Sequence, residues 1–149
     1  MERRHHSHRA FTLVEVLIVV IVLGILAAIV IPQFSEASTD AKTSALTTNL
    51  ATIRGQIQLY KLQHNDTFPT FAAFVNQMTQ YTDIAGAAQA AKDATHNLGP
   101  YLLSIPNNPF TSPLSNTVGN DDAVATAWYY DQTTGEFKAN DGDATRESY

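Results

Sequence analysis

The chain has 149 residues, a net charge of −5 and no cysteine. Its length allows one small domain plus a further segment, and the absence of cysteine excludes a disulfide scaffold, thiol chemistry and a Cys-based zinc site. The acidic balance argues against nonspecific nucleic-acid binding, so no nucleic-acid partner is expected.

Residues 1–10 are polar and basic, carrying Arg3, Arg4 and Arg9 with His5, His6 and His8 among them. The histidines have metal-ligand chemistry but read as part of a basic leader. From Phe11 to Ile31 the chain is apolar, and Glu15 is its one ionisable side chain. A helix of that length covers roughly 30 Å, the thickness of a hydrocarbon core. Positive charge before a first apolar run predicts a cytoplasmic N-terminal side, with the bulk of the chain outside. A carboxylate within such a run costs about 2.5–3.5 kcal/mol on insertion scales. Glu15 therefore needs a partner, or must reach the nearby headgroups. The run is too long for a secretory signal peptide, and Ala27-Ala28-Ile29 is a weak cleavage site. A plain signal anchor explains the length and leaves Glu15 unexplained.

The segment Arg9-Ala10-Phe11-Thr12-Leu13-Val14-Glu15 resembles the cleavage and methylation motif of the type IV pilin-like proteins. The resemblance implies that a prepilin peptidase removes residues 1–10, cutting between Ala10 and Phe11, and that the new Phe11 amine is N-methylated. Ala10 stands where that family nearly always has Gly. Glu15 falls on the family's glutamate, and Pro32 on its helix-kinking proline. Residues four apart share a helix face, and an amino terminus is cationic below a pKa of about 8. Pairing the Phe11 amine with Glu15, in one chain or between neighbours, offsets the cost of burying either charge. On this reading Phe11 and Glu15 are assembly residues. Without residues 1–10 the chain keeps six basic and thirteen acidic side chains, a net charge of −7.

Beyond Pro32 the helix is expected to continue, since proline removes one backbone hydrogen bond and kinks rather than ends it. Leu46, Leu50, Ile53, Ile57 and Tyr60 recur at spacings of four and three, forming one apolar stripe opposite Thr48, Asn49, Thr52 and Gln56. A single helix from Phe11 to about His64 follows, roughly 80 Å by its rise per residue. It should stop at His64-Asn65-Asp66-Thr67-Phe68-Pro69, where Asn and Asp favour a turn and Pro69 pushes its predecessor from helical geometry. This helix end resembles that of the major pseudopilin of type II secretion.

Residues 70–98 read as helix-prone, with Thr70 as a cap, then Phe71, Phe74, Val75 and Met78, then an Ala-rich run from Ala85 to Ala94. The segment Gly99–Phe110 breaks helix repeatedly and resembles the stretch that crosses the pseudopilin head, with Asn108 and Phe110 in place of the usual Asp and Trp. Ser112–Asp122 reads as a loop. Two aromatic strands, 127–131 and 136–140, flank a hairpin turn in which Gly135 suits positive φ. The tail from Asp141 to Tyr149 reads as polar and mobile.

No catalytic constellation is visible, and the chain is not expected to be an enzyme. His64 and His96 read as solvated helix-end residues. The pseudopilin resemblance implies one candidate cofactor, calcium, with Asp121, Asp122, Asp141 and Asp143 as candidate ligands in the loops beside the hairpin. The expected fold is α+β: a long N-terminal helix, its first half transmembrane, packed on a small head with short helices and a C-terminal antiparallel hairpin. The expected organisation is a leader (1–10), a membrane and assembly helix (11–31), its amphipathic continuation (32–64) and a head with a polar tail (65–149). The resemblance implies a structural subunit of a pilus-like fibre in the bacterial inner membrane, most like a pseudopilin of type II secretion. Its partners would be further fibre subunits, the prepilin peptidase and methyltransferase, an inner-membrane assembly platform and membrane lipid. The alternatives are a fibre-forming pilin for adhesion, motility or DNA uptake, and an unrelated signal-anchored binding domain.

Overall fold

The computed structural model describes residues 12–122 and 126–149, apart from the side chains of Pro32 and Ser35. Residues up to Asp40 form one compact unit and Ala41–Tyr149 a second. The architecture is α+β. Helix α1 spans Leu13–Gln63 and continues through Pro32. Its first part is rich in Leu, Ile, Val and Ala, and an 18-residue window reaches a mean hydropathy of 3.3 with none of it buried by the chain. By length and composition this segment can cross a membrane.

The end of α1 follows the expected turn chemistry. Asn65 and Asp66 adopt left-handed φ values of 52° and 63°. The Asp66 N–H donates back to the Lys61 carbonyl at 3.0 Å, the six-to-one bond of a Schellman termination. Along the polar face, the hydroxyls of Thr47, Thr48 and Thr52 each donate to a carbonyl one turn earlier, at 2.8–3.1 Å.

The expected stripe is the spine of the second unit. Leu46, Leu50, Ile53, Ile57 and Tyr60 are all buried, in one core with Phe74, Met78, Tyr101, Ile105, Trp128, Tyr130 and Phe137. Each such side chain contributes about 1.5–3 kcal/mol by leaving water. Polar ties fix the register of the parts. Arg54 Nε donates to the Phe137 carbonyl at 2.8 Å, and Tyr130 Oη to the Pro69 carbonyl at 2.7 Å. Trp128 Nε1 donates to the Pro106 carbonyl at 2.8 Å.

After α1 come a 3-10 turn at Phe71–Ala73, α2 (Phe74–Thr79), β1 (Tyr81–Thr82) and β2 (Ala88–Gln89). They are followed by β3 (Val118–Gly119), β4 (Trp128–Tyr130), β5 (Phe137–Ala139) and α3 (Ala144–Glu147). Strands β1 and β2 pair antiparallel, with Tyr81 opposite Gln89. The second sheet has order β3-β4-β5: β3 runs parallel to β4, and β4 pairs antiparallel with β5 in the register Trp128–Ala139 and Tyr130–Phe137. This is the expected hairpin, and Gly135 in its turn has φ +74°.

Five expectations are corrected. The Ala-rich run is not helical, because Asp83 captures the N–H groups of Ala85 and Ala87 at 3.0 and 2.8 Å and folds the run into a turn leading to β2. The segment 112–122 contains β3, recruited by pairing with β4. The tail forms α3, whose N-cap Asp143 accepts the Thr145 N–H at 2.9 Å. His64 is buried rather than solvated: it stacks on Tyr60 with ring centroids 3.7 Å apart, and its nitrogens meet the Tyr60 carbonyl and Thr82 Oγ1 at 2.8 and 3.0 Å. Thr70 makes no side-chain capping bond; its backbone N–H instead donates to Gln77 Oε1 at 2.8 Å.

Candidate functional site

The first described turn of α1 carries Glu15, the residue expected to act in assembly. Thr12 precedes the helix, and its Oγ1 accepts the Glu15 N–H at 3.2 Å while its carbonyl accepts the Val16 N–H at 3.3 Å. Thr12 is thus a helix cap three residues before an acidic residue, the Thr-x-x-Glu spacing of a capping box. That spacing is legible in Thr12-Leu13-Val14-Glu15. Glu15 is exposed in the first turn, where a negative charge also complements the helix dipole. Ala10 and Phe11, the residues of the expected cleavage and N-methylation, lie outside the described residues. Pro32 lies within α1.

The four aspartates sort into two places. Asp122 Oδ2 accepts from Lys138 Nζ at 3.1 Å, beside β5. Asp121 is exposed in the same loop, and its carbonyl accepts from Asn140 Nδ2 at 3.2 Å. Asp141 and Asp143 lie after β5 and share Arg146: Nε is 2.9 Å from Asp141 Oδ2, and Nη1 is 2.7 Å from Asp143 Oδ2. The Thr145 N–H, with Arg146 adding to it, holds the Asp143 carboxyl below the usual carboxylate range.

Residues 5–31 match the model of the prokaryotic N-terminal methylation motif. The chain is 32% identical over 120 residues to the type II secretion system core protein G of Pseudomonas aeruginosa, covering 76% of this chain and 74% of that protein. The chain belongs to the core protein G family, the major pseudopilins of type II secretion. The core protein G of Vibrio cholerae is likewise 32% identical over 112 residues, covering 72% of this chain and 69% of the relative. That of Aeromonas hydrophila is 26% identical over 113 residues, with 76% and 73% covered. No solved structure matches the chain.

As a major pseudopilin the chain is a structural subunit, anchored in a membrane and assembling with other subunits. The calcium implied by the resemblance meets a donor set that does not fit it. Calcium takes six to eight oxygen ligands with open lone pairs. Among the described residues, no group of three or more His, Asp or Glu side chains is gathered as a metal would need. The carboxylates of Asp122, Asp141 and Asp143 already face cationic side chains.

Proposed function

We propose that this pseudopilin builds a short periplasmic fibre that drives protein export. Residues 1–10 are the leader, cut between Ala10 and Phe11 by the prepilin peptidase, which then methylates the Phe11 amine. Residues 11–31 hold the subunit in the inner membrane with its N-terminus cytoplasmic, 32–64 continue the helix, and 65–149 form the periplasmic head. An inner-membrane platform extracts subunits from the lipid into a helical homopolymer. The Phe11 amine of one subunit pairs with Glu15 of another and sets its register.

One observation carries the reading: a membrane-length apolar helix whose capped first turn presents a lone carboxylate, within a matched N-terminal methylation motif. The charge of Glu15 has no cationic residue near it in sequence after the cut, so the new amine is its natural counterion. The test is Glu15→Ala in cells carrying the secretion genes. The variant should enter the membrane and be cleaved to a methyl-Phe11 terminus, read by mass spectrometry. It should yield no sheared or cross-linked fibres. Normal fibres from this variant refute the pairing, and an intact Met1 refutes the processing.

A further inference from the structure

The C-terminal turn carries a cation of its own. The Asp141 side chain is only 3% exposed, so its charge requires compensation inside the head. Arg146, one turn later on α3, supplies it. Its guanidinium forks between the two carboxylates, with Nε on Asp141 Oδ2 and Nη1 on Asp143 Oδ2. The same guanidinium lies 4.4 Å from the centroid of the Phe110 ring, a cation–π placement that fixes its plane.

The remaining carboxylate oxygens are also taken by donors. Asp141 Oδ1 accepts the Asp143 N–H at 3.3 Å, and Asp143 Oδ1 accepts the Thr145 N–H at 2.9 Å. Asn108, fully buried, adds Nδ2 to Asp141 Oδ2 at 3.3 Å while also donating to the Ala127 carbonyl at 2.9 Å. An aspartate at 108 could not donate in this way and would place a second negative charge beside Asp141. All four oxygens of the pair therefore already accept from N–H groups. A divalent ion could bind only by expelling the guanidinium and reversing those donors.

We infer that Arg146 is the resident cation of this loop, doing through the Asp141–Arg146–Asp143 bridge what a calcium ion would otherwise do for the C-terminal sheet. The turn from Asp141 to Arg146 holds its fold without a divalent cation. Asn108 and Phe110, at the positions where the sequence departs from the pseudopilin pattern, are the two residues that accommodate the guanidinium.

The test uses the full chain in detergent micelles. Thermal unfolding is followed in millimolar calcium chloride and in excess EDTA, for the wild type, Arg146→Ala and Arg146→Lys. The wild type should melt at the same temperature in both buffers, and isothermal titration with calcium chloride should give no saturable heat. Arg146→Ala should melt at least about 12 °C lower, the loss expected on leaving a buried carboxylate without its cation in a domain of this size. Arg146→Lys keeps the charge without the fork and should also melt below the wild type; it serves if the alanine variant does not fold. A wild-type melting temperature that rises with calcium overturns the inference. So do Arg146 variants that melt with the wild type.

Discussion

Gly135→Ala tests how tightly the hairpin turn is set against Phe68, in the loop after α1. Two separate costs can be worked out from the structure. Gly135 has φ +74°, and an L-residue held in the left-handed region costs about 1–2 kcal/mol. An added Cβ would also overlap the Phe68 ring, meeting Cε1, Cζ and Cδ1 together. Phe68 packs against the core, and Lys61 Nζ lies 4.4 Å from its ring centroid, so the ring gives way only by losing contacts on its other face. Overpacking of this kind costs about 1–3 kcal/mol. Gly142 provides the control: its φ is +82°, and a Cβ there meets nothing within 4 Å. Gly142→Ala should show the backbone cost alone, and Gly135→Ala that cost plus the ring. At roughly 4–8 °C per kcal/mol for a domain near this size, Gly135→Ala should melt about 5–15 °C below Gly142→Ala. The assay is thermal unfolding of the detergent-solubilised chain, read by fluorescence of its single tryptophan, the fully buried Trp128. In a Phe68→Ala background the additional loss should vanish. Equal melting temperatures for the two glycine variants would refute the reasoning.

Tyr130→Phe should destabilise the head by about 1–3 kcal/mol, because it leaves the Pro69 carbonyl, on a buried residue, without its donor; a variant melting with the wild type would show that the bond contributes nothing. Asp93 closes the turn at 93–96 by accepting the N–H groups of His96 and Thr95 at 2.6 and 2.8 Å, and the His96 N–H is the main cause that lowers its pKa from 3.8 to about 2. Because the folded value is depressed, the turn's stabilisation is present above pH 3.8 and is lost as pH falls through about 2. The Thr95 and His96 amide resonances should follow that titration and should be flat in Asp93→Asn. The Glu15→Ala and Arg146 experiments complete the set.

What was legible in the sequence were the elements whose cause is local. The stripe from Leu46 to Tyr60 is visible because helical periodicity alone decides which face is buried, and all five residues are in the core. The β4–β5 hairpin is visible because Gly135 and the flanking aromatics act within a dozen residues. The misses arise where side-chain bonds or distant partners override local propensity. Alanine propensity from 85 to 94 is overridden by the Asp83 turn, and Gln77 Nε2 bonds the Gly86 carbonyl at 2.8 Å from another element. Strand β3 exists only because β4 pairs with it. The ordering of α3 depends on Arg146 meeting Asp141, a pair that reads as two solvated charges until Asn108 and Phe110 are seen beside it. His64 looks like a polar helix end, and its burial follows from Tyr60 stacking and a hydroxyl eighteen residues away. In the first turn of α1, Glu15 stands out in the sequence as a charge in an apolar run, whereas the role of Thr12 as its cap needs the helix start to be placed.

The threonine hydroxyls of α1 have a consequence for crowding. Thr47, Thr48 and Thr52 each turn their donor inward to a carbonyl of the same helix. What such a side chain offers to a neighbour is its methyl group, with its hydrogen already engaged. A face that is polar by composition therefore has these three donors already satisfied within its own helix. Another helix laid against it leaves no donor stranded and finds no directional bond to break.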